Sequence, residues 1–304
     1  MYSRLSPSLR NVSAPALRLF RQRCEYYSVQ PPSLIKTKSV PAPHAGSIRI
    51  LSLNRPAARN AISRQLLAEL AHETKAIAEE GEHGPTRVMI LTSEVDACFC
   101  AGADLKERAG FSQEETANFL ASLRGTFTQI SRLPIPTISA VSSLAFGGGL
   151  ELALTTDLRV FGSTTAVALP ETRLGIIPGA GGTYRLPALI GMNRARDLVL
   201  TGRRIGGPEA YFLGLCDRLV EVVEADQVKE GRARELVLNE AVRLAEEICG
   251  GAPLATKAAK AAVEGWQQGE KVENACYDRV VRTSDRDEAL MAFREKRKPS
   301  FKGK

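Results

Sequence analysis

Three consecutive glycines and a glutamate two residues after them stand out in residues 144–155, LAFGGGLELALT. Gly147, Gly148 and Gly149 open an apolar helical run, so bare backbone N–H groups face whatever lies above its first turn. A helix N-terminus favours developing negative charge. Glu151 lies three residues beyond Gly148, about one turn on, so its carboxylate shares the face of those amides. Its neighbours at 150, 152 and 154 are apolar, and an ionised carboxylate buried among them is costly unless the protein uses it. The alternative is an exposed acid on an amphipathic helix, and that reading lacks polar neighbours in phase.

Two further segments carry candidate chemistry. Residues 98–109, CFCAGADLKERA, follow a β-type run and precede a helix. Ala101, Gly102 and Ala103 there are small enough for a ligand to approach the backbone, although any tight turn shares that property. Residues 169–186, LPETRLGIIPGAGGTYRL, place Glu171 after a proline and before a Gly-Pro-rich loop. Taken alone, a loop glutamate is as well explained as a solvated charge. Neither glycine cluster matches G-x-G-x-x-G or is followed by G-K-[ST], which argues against a nucleotide-phosphate loop.

The elements that must hold these residues alternate. Strand patterns at 48–53, 87–92, 137–141 and 158–161 are separated by helical patterns at 62–80, 113–133 and 148–155, an α/β arrangement with parallel pairing. From about 192 the pattern turns helical, at 193–200, 209–213, 231–249, 253–266, 272–281 and 285–296, with one strand at 218–222. Residues 48–191 therefore read as a sheet-containing core with the active site. Residues 192–304 read as a helical region of the kind that packs on another subunit.

Residues 1–30 hold five arginines against one acid, Glu25, so they carry +4 of the formal +7 and leave +3 for the rest. Arg- and Ser-rich, nearly acid-free and without a continuous apolar stretch, they have the composition of a mitochondrial transit peptide, which implies the matrix; a basic disordered tail is the other reading. Residues 31–47, with four prolines, read as an extended lead-in. The remaining charge gives little support to a nucleic-acid role, and no run reaches the eighteen or so apolar residues of a membrane span. Six cysteines include one C-x-C pair, Cys98 and Cys100, without a second pair at zinc spacing, so reduced thiols and no metal site are expected.

Together, AGADLKE, GGGLELAL and PETRLGIIPGAGGTYRLP resemble the enoyl-CoA hydratase/isomerase (crotonase) superfamily from about residue 48 onward. The stretches FCAGADLKERA, PTISAVSSLAFGGGLELALTTDLRV and MAFREKRKPSFKGK resemble its branch of 3-methylglutaconyl-CoA hydratases of the AU-binding-homologue type, enzymes of leucine breakdown. The resemblance implies a spiral of ββα repeats followed by a helical trimerisation region, with trimers pairing into hexamers. It implies that the N–H groups of Ala103 and Gly148 form an oxyanion hole and that Glu151 and Glu171 are the catalytic acids. Glu151 would activate water and Glu171 would protonate Cα of an acyl-CoA thioester. No cofactor is implied, since CoA belongs to the substrate. Relatives that shift double bonds, decarboxylate or dehalogenate generally lack one of the two glutamates, so having both points to hydration.

Substrate contacts implied by the resemblance are Arg55, Ala101, Asp104, Leu105, Lys106 and Gly179, with Phe293 and Lys296 reaching from a neighbouring subunit. Arg55, Lys106 and Lys296 read equally well as surface charge. Arg108 is the candidate cation for a terminal acyl carboxylate. A short-chain enoyl-CoA hydratase and an RNA-binding scaffold are the competing functions. In the branch resembled, a lysine-rich helix and the strand after it bind AU-rich RNA; the matching stretch here, 66–87, carries five acids against Lys75 and Arg87, a balance that repels phosphate.

Overall fold

In the computed structural model, residues 32–304 are described; the proposed transit peptide lies outside them. Among the described residues, ten strands build two sheets. They are β1 (Ile35–Pro41), β2 (Ser47–Leu53), β3 (Thr86–Ser93), β4 (Cys98–Cys100), β5 (Thr137–Val141), β6 (Leu144–Phe146), β7 (Leu158–Gly162), β8 (Ala166–Ala168), β9 (Ile205–Gly206) and β10 (Arg218–Val220). The larger sheet runs β1-β2-β3-β5-β7-β10 and the smaller β4-β6-β8-β9. Pairing is parallel except β1 with β2 and β8 with β9. The helices are α1 (Arg64–Glu79), α2 (Leu105–Arg108), α3 (Gln113–Ser131), α4 (Gly148–Ala153), α5 (Gly182–Ile190), α6 (Met192–Thr201), α7 (Gly207–Leu213), α8 (Glu224–Val228), α9 (Arg232–Cys249), α10 (Pro253–Glu264), α11 (Glu270–Val280) and α12 (Ser284–Glu295).

Local signals account for the longer elements. Strand β3 carries a continuous apolar run, Val88 to Leu91, because both its faces are covered, as parallel strands require. Ser63 caps α1 by accepting from Leu66 N at 3.2 Å. Ser112 and Glu115 form a reciprocal capping box at the start of α3, and Pro134 and Pro136 follow its end. Within residues 31–47 lies a true strand, β1, antiparallel to β2 with Ile35 opposite Leu53. Its position at the sheet edge is where Pro41, which has no N–H to donate, is tolerated.

The packing crosses the line drawn near residue 191. Val237, Ala241, Leu244 and Ala245 of α9 share one core with Ile48, Ile50, Val88, Ile90, Ile138 and Val160 of the larger sheet. Strand β10 extends that sheet beside β7. In and around α10 to α12, Val263, Trp266, Tyr277 and Phe293 are largely exposed. No helix among the described residues is long and apolar enough to cross a membrane.

Candidate active site

The short parallel pair β4 and β6 sets the site. Cys98 lies opposite Leu144 and Cys100 opposite Ala145, so the two chains leave the small sheet side by side, one through Gly102 and Ala103, the other through Gly147 and Gly148. The approach is close. A Cβ on Gly102 would lie 2.8 Å from Phe146 O and 3.3 Å from Gly148 N, and Gly102 has φ +94°. Gly147 has φ +53° and ψ −125°, and a Cβ on it would fall 2.8 Å from Glu171 Oε1. Only glycine meets both demands without strain. Neither Ala103 N nor Gly148 N donates to a protein acceptor among the described residues, so both amides are available to a ligand oxygen.

Asn60 braces this arrangement from behind. It is fully buried; its Nδ2 donates to Ser93 Oγ at 2.8 Å and Phe99 O at 2.9 Å, and its Oδ1 accepts from Arg55 N at 2.7 Å. The 101–104 segment is further held by Ala101 N to Arg59 O, Ile62 N to Gly102 O and Asp104 N to Ile62 O.

Glu151 is 3 % exposed. Its Oε1 accepts from Ala180 N and Gly182 N, both at 2.8 Å. Burial pushes its carboxyl above the ordinary value, and the Gly182 and Ala180 amides oppose that push. The loop supplying those amides is held at two points. Arg185 Nη1 donates to Ala180 O at 2.8 Å, and Arg124 Nε donates to Gly179 O at 2.7 Å.

Glu171 is carried to the same place by β8 and the proline that follows it, at the start of a 3-10 turn. It is 8 % exposed, and its Oε2 is buried without a hydrogen-bond partner. Burial, reinforced by the neighbouring Glu151 charge and opposed by its own N–H, raises its carboxyl to about 7. Both glutamates and both amide-bearing residues line one cavity of about 470 Å³. Its other walls include the apolar Leu105, Leu120, Leu123, Phe146, Leu174 and Ile177.

Ala101, Leu105, Arg108 and Gly179 line the cavity as well; the remaining expected contacts do not. Arg55 Nη1 pairs with Asp104 Oδ2 at 2.6 Å and donates to Ala61 O at 2.8 Å. Asp104 accepts from Lys106 N and Glu107 N, capping α2. Although burial works against it, the Arg55 partnership and these amides hold its carboxyl below the ordinary value. Arg55 and Asp104 thus shape the turn behind Ala103. Lys106 is exposed, and Phe293, 84 % exposed, and Lys296 belong to the end of α12. Sequence reasoning missed Arg124, Leu120 and Leu123. Their i, i+3, i+4 spacing on α3 was the available signal, but many buried helical stripes share it. Among the described residues no group of His, Cys, Asp and Glu is arranged to hold a metal ion.

Two unspent amides and two buried carboxyls lining the same largely apolar cavity make a site suited to polarising a carbonyl and moving protons at the adjacent carbons. The family model for enoyl-CoA hydratase/isomerase matches residues 44–304, and the chain belongs to that family, whose substrates are acyl-CoA thioesters. An enoyl-CoA isomerase/hydratase of Zymoseptoria tritici is 61 % identical, with 90 % of this chain and 89 % of the relative aligned. Methylglutaconyl-CoA hydratase 1, mitochondrial, of Pyricularia oryzae is 54 % identical over 92 % of this chain and 90 % of its own length. The crystal structure of an enoyl-CoA hydratase from Bacillus anthracis superposes with a TM-score of 0.80 at 40 % identity, covering 89 % of this chain and all of that one. The crotonase fold expected from the motifs is therefore the fold observed, and the activity is of the enoyl-CoA hydratase type.

Proposed function

We propose that this enzyme adds water reversibly and with syn geometry across the double bond of 3-methylglutaconyl-CoA, in leucine degradation. The observation that carries the hydratase reading is the pair of buried glutamates facing one cavity with two free amides. As the nucleophile adds at Cβ, negative charge builds on the thioester oxygen. Ala103 N–H and Gly148 N–H would receive that oxygen, each lowering the barrier by on the order of 3 kcal/mol.

The two carboxyls differ in a way that divides the work. Glu151 has two backbone donors on one oxygen, which favours its ionised form and suits it to hold and deprotonate water. Glu171 has an unpartnered oxygen and a value near 7, so near neutrality it carries a proton for a substantial fraction of the time and delivers it to Cα. The pair titrates as a unit.

The name of the Pyricularia oryzae relative supports the branched substrate, and Arg108 on the cavity wall suits the terminal carboxylate that this substrate carries. The mitochondrial names of relatives and the composition of residues 1–30 support import to the matrix. The exposed apolar residues of α10 to α12 support assembly into trimers, with hexamers as pairs of these. CoA enters as part of the substrate, with no further cofactor. The excess of acids in residues 66–87 speaks against RNA binding.

The test is steady-state hydration of 3-methylglutaconyl-CoA beside crotonyl-CoA, for the wild type and for Glu151→Gln and Glu171→Gln. Preference for the branched acid, with turnover falling about 10²- to 10⁴-fold in both variants, is the expected result. Preference for crotonyl-CoA keeps the mechanism and makes the enzyme a short-chain hydratase of fatty-acid oxidation. Undiminished activity in either variant removes that glutamate from the mechanism.

A further inference from the structure

Two arginines line the otherwise mostly apolar cavity, Arg108 and Arg124. The Arg108 guanidinium lies 6.0 Å from the centroid of the Phe119 ring. Arg124 sits five residues beyond Phe119 on α3, roughly 7.5 Å further along the axis. It follows the cavity-lining Leu123 and stands one turn from Leu120. Its Nε is engaged with Gly179 O, whereas its terminal nitrogens have no acceptor among the described residues. Neither arginine pairs with a carboxylate of the protein there. The two acids of the cavity are committed elsewhere or not at all: Glu151 to the Ala180 and Gly182 amides, Glu171 with an orphan oxygen.

From this we infer that Arg124, with Arg108 as the second cation, is the residue by which the pocket selects acyl chains ending in a carboxylate. The inference rests on the substrate reading proposed above and goes beyond it by assigning the recognition to Arg124. A carboxylate entering an apolar cavity loses its hydration, and a guanidinium fork returns two charge-assisted hydrogen bonds in a geometry that matches it. The Nε–Gly179 bond orients that fork before the ligand arrives, which reduces the ordering cost of binding. An uncharged acyl chain gains nothing from it.

Arg124 also braces the loop that feeds amides to Glu151, since Gly179 precedes Ala180. Loss of a mere brace slows every substrate alike, as does loss of a contact to the CoA phosphates. Loss of carboxylate recognition changes the ratio between substrates. Glutaconyl-CoA and crotonyl-CoA share the same double bond and differ by the terminal carboxylate, so they separate the two cases.

The experiment measures kcat and KM for both thioesters with the full chain, as wild type, Arg124→Gln, Arg124→Lys and Arg108→Gln. The expected result is a wild-type preference for glutaconyl-CoA. In Arg124→Gln the glutaconyl/crotonyl ratio of kcat/KM should fall about 10- to 100-fold, mainly through the glutaconyl KM. Arg124→Lys should restore part of it, because lysine keeps the charge but not the fork. An equal loss on both substrates, or a ratio that stays at the wild-type value, overturns the assignment to Arg124 while leaving the substrate reading intact. A wild type without preference for the carboxylate defeats the substrate reading itself, and this inference with it.

Discussion

Replacing Gly102 by alanine tests the oxyanion hole without touching an ionisable group. The new Cβ would stand 2.8 Å from Phe146 O and 3.3 Å from Gly148 N, where ordinary carbon–oxygen contact begins at roughly 3.5 Å. The chains carrying Ala103 and Gly148 must separate by several tenths of an ångström, or Gly102 must leave φ +94°. Holding alanine at that φ costs about 1–2 kcal/mol, and overpacking adds about 1–3 kcal/mol. A loss of roughly 2–5 kcal/mol in unfolding free energy follows, measurable by urea denaturation.

The kinetic consequence is larger than the structural one. Loss of one well-aimed donor costs about 10²- to 10³-fold in kcat, so a displacement short of complete loss should cost at least about 10-fold. Stopped-flow or steady-state hydration of crotonyl-CoA reads this directly, and because both donors act on the transition-state oxygen the loss should fall on kcat more than on KM. A folded Gly102→Ala protein with kcat within twofold of wild type would refute the assignment of Ala103 N–H and Gly148 N–H to the oxyanion.

Other consequences follow from the same geometry. Because Glu171 rises from 4.5 to about 7 on folding, its protonated form contributes stability that is complete below about pH 4.5 and is lost as pH rises through about 7. Glu171→Gln should therefore gain thermal stability relative to wild type between pH 5 and pH 8; a difference in Tm that is flat over that range would show that Glu171 does not titrate this way. Asn60→Ala takes the side-chain donor from Phe99 O and the acceptor from Arg55 N, and should cost about 2–4 kcal/mol and lower kcat through the 101–104 segment; chemical denaturation and turnover check both. Burial raises the Cys98 and Cys249 thiols to about 11 and those of Cys100 and Cys216 to about 12. These four thiols should resist iodoacetamide at pH 8 in the native protein and react only after unfolding, as peptide mapping would show.

The limits of sequence reading show in particular elements. The long strands and helices were legible because their apolar periodicity runs over five or more residues: Thr137–Val141 was read to the residue, and α3 and α9 to within two. The second sheet was not, because β4, β6, β8 and β9 are two or three residues long, too short for alternation to register. Strand β1 was hidden by its proline and two lysines, which suit an edge.

At the site, residue type and local spacing singled out Glu151, and the family resemblance added Glu171 and Ala103. Glycines before Glu151, small residues around Ala103, and Glu171 after a proline are properties of the chain alone. The family resemblance implied further contacts, not all of which line the cavity. Arg55 and Asp104 look like ligand contacts in one dimension but satisfy each other across a turn. What the tertiary structure decided is whatever depends on segments far apart in sequence. The β4–β6 register brings Ala103 beside Gly148. The 178–182 loop brings its amides to Glu151. Helix α3 brings Arg124 to a cavity whose two glutamates lie on other elements. None of these contacts leaves a trace in local periodicity, because each is fixed by packing and hydrogen bonding between chain segments from about 30 to 55 residues apart.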